Sequence, residues 1–105
     1  MLYPIAIEPG DENTAFGVVV PDIPGCFSAG DSLDEAMKNA VEAIESHLEL
    51  LAEDGAEIPM ATTCAAHSGN PDFAGWCWAF ADVDVTPYLG KAEKINVTRK
   101  QKGVS

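Results

Sequence analysis

Basic residues are scarce in this chain, and the few present are crowded at one end. Among 105 residues there are six Lys and Arg against seventeen Asp and Glu, and five of the six bases (Lys91, Lys94, Arg99, Lys100, Lys102) follow residue 90. Residues 1–90 hold sixteen acids and the single base Lys38, net −15, while residues 91–105 hold five bases and Glu93, net +4. A body of that charge repels nucleic acid and attracts a basic protein. Long apolar runs are missing as well. No stretch approaches the roughly 18 apolar residues of a membrane-spanning helix, so no membrane contact is expected. Met1 to Gly10 has neither the basic start nor the apolar stretch of a signal peptide, which predicts a cytoplasmic protein. Cysteine is limited to Cys26, Cys64 and Cys77, odd in number and without a C-x-x-C pair, which suits reduced thiols better than a disulfide framework and reads as small buried hydrophobes. Neither a phosphate-cradling glycine loop nor a nucleophile beside a base is present, so neither a cofactor nor a catalytic residue is expected.

What is present suits one domain, since a chain of this length buries roughly 60 to 70% of its unfolded surface. "LYPIAIE" (residues 2–8) and "AFGVVV" (15–20) are β-rich runs around a turn-forming "PGDENT", and together they predict a hairpin. A brief third strand is expected over Cys26 to Ala29. Ser32 and Glu35 then make an S-x-x-E capping box. From there Leu33, Met37, Ala40, Val41, Ile44, Leu48 and Leu51 recur at steps of three and four, predicting a long helix that buries this face and stops at Gly55. Its other face carries Asp34, Glu35, Glu42, Glu45, Glu49 and Glu53 against Lys38 alone.

Residues 58–75 read as a loop with one helical turn across Thr62 to His67. "WCWAFADVDV" (76–85) is a further strand, with Trp76, Trp78, Phe80, Asp82 and Asp84 on one face and Cys77, Ala79, Ala81, Val83 and Val85 on the other. The small-residue face suits a packed helix, which leaves the aromatics opposite. In the second strand Phe16, Val18 and Val20 likewise oppose Ala15, Gly17 and Val19. A sheet covered on one side should be polar on the other. This one is not, so either residues 58–75 fold beneath it or another chain does.

The ordered series "VPDIPGCFSAGDSLDEAMKNAVEAI", "LAEDGAEIP", "NPDFAGWCWAFADVDV" and "KINVT" resembles the HicB family of bacterial antitoxins over most of residues 3–98. The resemblance implies a degraded ribonuclease H-like α+β domain over residues 1–90, an antiparallel three-stranded sheet followed by one long helix and a further strand. It also implies a partner, a small basic HicA-like toxin that cleaves messenger RNA and is held inactive by binding. Glu35, Glu42, Glu45 and Glu49 are the expected steering charges, Trp76, Trp78 and Phe80 the expected apolar anchors, and a homo-oligomer is expected.

In many family members "INVT" opens a ribbon-helix-helix that reads DNA. Here Lys94, Asn96 and Thr98 would face the DNA, but the seven residues after Thr98 cannot form the two helices. Residues 91–105 are therefore expected to be a basic remnant of that module, without promoter-specific binding. Two alternatives use the same residues differently. One is an orphan domain of this type that self-associates without a toxin. The other is a metal-dependent nuclease using Asp22, Asp31, Asp82 and Asp84, though Asp22 reads more simply as a turn residue and Asp31 as a helix N-terminal residue. Zinc at Cys64, His67 and Cys77 is not expected, because structural zinc sites show tighter paired spacing.

Overall fold

The computed structural model describes residues 1–89. Lys94, Asn96, Thr98 and the rest of the basic tail lie outside the described residues. Three strands, β1 (Leu2–Glu8), β2 (Phe16–Val19) and β3 (Phe27–Gly30), precede the long helix α1 (Leu33–Glu53). A short helix α2 (Cys64–His67) and a 3-10 turn (Pro71–Phe73) then lead into β4 (Cys77–Asp82). All pairings are antiparallel, and β4 joins the open side of β1, so the strands form one four-stranded sheet in the order β3-β2-β1-β4.

The ends of α1 follow from local chemistry. The Ser32 hydroxyl accepts from the Glu35 amide at 3.1 Å, while the Glu35 carboxylate reaches the Asp31 amide at 2.7 Å, one residue before the cap. At the other end Gly55 takes φ +72°, so its amide bonds Ala52 and the Ala56 amide bonds Leu51 at 2.8 Å. This double bond pattern closes a helix whose last carbonyls would otherwise lack donors.

The buried stripe of α1 is rotated from the expected one. Ala36, Ala40, Ile44, Leu48 and Ala52 are buried, whereas Met37, Val41 and Leu51 are only half-buried and Leu33 is 49% exposed. The alanines win because small side chains let the helix axis approach the sheet. Gly30 permits the same approach at the end of β3: a Cβ there would fall on the backbone of Ala36, with Ala36 Cα and the Glu35 carbonyl carbon both at 2.8 Å.

Register assigns the two faces of the sheet. Ile7 pairs with Val18 and with Cys77, and Ile5 with Ala79, so these side chains share the helix side. Phe16 and Val18 therefore face the helix, together with the small residues of β4 and not across from them. The core joins Tyr3, Ile5, Val18, Val20, Ile23, Ile44, Leu48, Ala81 and Val83. Of the three cysteines only Cys26 is a buried hydrophobe; Cys64 is half-buried, and Cys77 is exposed at the start of β4, beside the first turns of α1.

Candidate partner-binding surfaces

The far side of the sheet is closed at its centre by the chain itself. Ala6 pairs with Trp78 and Val19, which places all three on this side, and Ala6 is fully buried. The segment between α1 and β4 supplies the cover. Phe73 meets Trp78 edge-on at 5.6 Å and Trp76 at 5.3 Å, and the His67 ring stacks on Trp78 at 6.4 Å. Trp76 and Trp78 are thus half-buried within one aromatic cluster. Phe80, two residues on and paired with Pro4, is 47% exposed, and Phe27 on the opposite margin is 65% exposed.

A polar clasp holds that cover in place. The Asp22 side chain, only 4% exposed, accepts from the Thr62 amide at 2.7 Å and the Thr62 hydroxyl at 2.8 Å, and meets His67 Nε2 at 2.8 Å. Burial pushes the Asp22 carboxyl up, but the Thr62 amide, His67 and the Thr62 hydroxyl hold it below the ordinary value overall. Asp22 is more than a turn residue, since it ties the β2–β3 connection to the segment beyond the helix. The three side chains superficially match an acid, base and nucleophile, but Asp22 and Thr62 both address the same ring nitrogen of His67. A relay needs the acid on one nitrogen and the nucleophile on the other.

The helix acids form a second surface. Glu42, Glu45 and Glu49 are exposed at three- and four-residue steps, so they lie along one side of α1, opposite the packed sheet. Glu45 and Glu49 also reach the end of the described chain: burial first, then Glu45, Glu49 and Asp84, raises the Tyr88 hydroxyl above its usual value. Glu35 is exposed too, but its carboxylate is already engaged by the Asp31 amide.

The four aspartates considered as metal ligands serve separate partners. Asp22 belongs to the clasp, Asp31 sits before the helix, Asp82 lies 3.8 Å from the Met1 amine, and Asp84 accepts from the Thr86 amide at 3.0 Å. Among the described residues no three His, Cys, Asp or Glu side chains converge to hold a metal ion. His67, considered for zinc, pairs with Asp22 instead. His47 is half-buried, with Nδ1 3.3 Å from the Ala43 carbonyl. None of the described helices is long and apolar enough to cross a membrane.

This antiparallel sheet backed by one long helix is shared with known antitoxin domains. It matches the N-terminal domain of Burkholderia pseudomallei antitoxin HicB with a TM-score of 0.70 at 40% identity, covering 80% of this chain and 99% of that one. A chain of the HicA3 and HicB3 toxin-antitoxin complex matches with a TM-score of 0.67 at 32% identity over the same shares. An uncharacterized 14.9 kDa protein from the rep-hol intergenic region of Haemophilus phage HP1 is 49% identical over 98 residues, 93% of this chain and 72% of that protein. The model of the HicB-like antitoxins of bacterial toxin-antitoxin systems matches residues 3–104. The chain belongs to that family.

Proposed function

We propose that this domain neutralises a small basic HicA-like toxin that cleaves messenger RNA, by stoichiometric binding in the cytoplasm and without catalysis of its own. Residues 1–90 form the binding domain, a fold of degraded ribonuclease H type, and work as part of a homo-oligomer. The observation that carries this reading is the exposed acid of α1: Glu42, Glu45 and Glu49 stand on a body of net −15 whose only base in residues 1–90 is Lys38. Charge of one sign on an exposed face accelerates encounter with an oppositely charged partner. A fold relative caught in a toxin-antitoxin complex supports the same partner class.

Phe80 is the most accessible of the three expected anchors, while Trp76 and Trp78 contribute from within the aromatic cluster. The test is co-expression with a small basic HicA-like toxin, followed by purification through a tag on either partner. A complex that forms at low salt and weakens as salt screens its rim charges supports the reading. Failure of the folded chain to retain the toxin at any salt concentration contradicts it.

A further inference from the structure

The helix does not cover the whole of its side of the sheet. Where β1 ends and β4 begins, an apolar groove of about 410 Å³ opens between strands and helix, lined chiefly by Ile7, Phe16, Leu33, Met37, Cys77 and Ala79. That is room for one or two large side chains, at the lower end of the usual range for binding clefts, roughly 300–1,000 Å³. Leu33 and Cys77 stand exposed on its walls, and Asp34 is the one charged lining residue.

The groove lies against an open strand edge. β4 pairs with β1 on one side, and among the described residues nothing bonds its other side. The sheet's other margin is treated differently. β3 has four residues against six in β4, and the Asn39 side chain donates to the Ala29 carbonyl there at 2.9 Å. β4 carries no proline, lysine or arginine, the residues that usually blunt an exposed edge. Strand geometry links the two features, because a segment added to this edge points every second side chain to the helix side. One such side chain would stand about 5 Å from Cys77 or Ala79, over the groove mouth.

We propose that the groove and the β4 edge together form the seat for an extended segment of the basic toxin, which adds a strand to β4 and sinks an apolar side chain between Leu33 and Ala79. Charge selects this occupant over a second copy of the chain. Pairing two β4 edges would bring together two bodies of net −15, whereas a basic residue near the inserted side chain meets Asp34 on the groove wall. This inference rests on the antitoxin reading and assigns its contact surface.

The experiment uses the full chain co-expressed with a small basic HicA-like toxin. Cys77→Phe fills the groove from an exposed position and Leu33→Glu makes its wall polar, while Met60→Phe alters an exposed site elsewhere. With circular dichroism unchanged, the two groove variants should weaken toxin binding by about tenfold or more and Met60→Phe should not. Amides of residues 77–82 should exchange more slowly in the complex than in the free chain. Wild-type affinity in both groove variants overturns the proposal and leaves the antitoxin reading standing, whereas loss of the wild-type complex itself overturns both. Protection of residues 77–82 in the free chain that grows with its concentration, or that vanishes when residues 91–105 are removed, means that a second copy or the tail fills the edge, and overturns the proposal.

Discussion

Asp22 bears more of the structure than its position between two prolines suggests. Its carboxylate takes two donors from Thr62 and the ring of His67, and so fastens the segment that closes the far side of the sheet. Asp22→Ala leaves the Thr62 amide and hydroxyl and the His67 ring without their acceptor, and should cost about 1–2 kcal/mol in urea denaturation. The pH dependence has a definite sign. Because the folded carboxyl lies below its ordinary value, its contribution is complete above the unfolded value of about 3.9 and is lost as pH falls below it. Wild type should therefore lose stability below about pH 4 more steeply than Asp22→Asn, measured by the urea midpoint across pH 3–6. At Gly30 the limit is steric and not electrostatic. Gly30→Ala presses a methyl onto the first turn of α1 and should destabilise by about 1–3 kcal/mol, read from the thermal midpoint.

Among the elements, α1 combines a structural face with a proposed functional one, and single acids on it should behave differently. Glu35→Lys breaks the capping interaction with Asp31 and places a cation at the helix N-terminus, so it should lower stability by about 0.5–2 kcal/mol. Glu42→Lys, exposed in mid-helix, should leave stability within about 0.5 kcal/mol and act on association alone. Reversing Glu42, Glu45 and Glu49 together should slow toxin association at low salt by about tenfold or more in stopped-flow mixing. An unchanged on-rate would remove the helix from steering.

The same element shows what could be read from sequence. The cap at Ser32, the stop at Gly55 and the span between them were legible because each depends on residues within a few positions. The buried stripe was read too far toward Leu33 and Leu51, since apolarity alone does not say that a close-packed interface prefers Ala36, Ala40 and Ala52. The faces of β2 were harder still. Phe16 and Val18 alternate correctly, but alternation cannot say which side meets the helix until pairing with β1 sets the register. The clasp was illegible, because its contacts join residues 40 and 45 positions apart and no local pattern marks them. The acidic helix face could be read in full, because it needs only the helical period and a count of charge.

At the scale of the molecule, the acidic body has little positive charge of its own, since Lys38 is the single Lys or Arg in residues 1–90. The Met1 amine stands 3.8 Å from Asp82 and His67 pairs with Asp22, while the helix acids Glu42 and Glu45 face outward. Self-repulsion of this kind lowers the stability of the isolated domain and is relieved when a basic partner binds. The thermal midpoint of the free chain should therefore rise between low and moderate salt, as screening weakens repulsion over about 10 Å at 0.1 M. The toxin should raise it further, most strongly at low salt.

Neutralisation by binding can be tested by a titration against RNA cleavage. Purified toxin cuts a labelled messenger RNA while increasing amounts of this chain are added at physiological salt. Inhibition should be complete at a fixed molar ratio of the two chains, whatever the toxin concentration above the dissociation constant, and should shift to larger excess in the Glu42, Glu45, Glu49 reversal. Cleavage that continues in the presence of a large excess of folded chain would contradict the account.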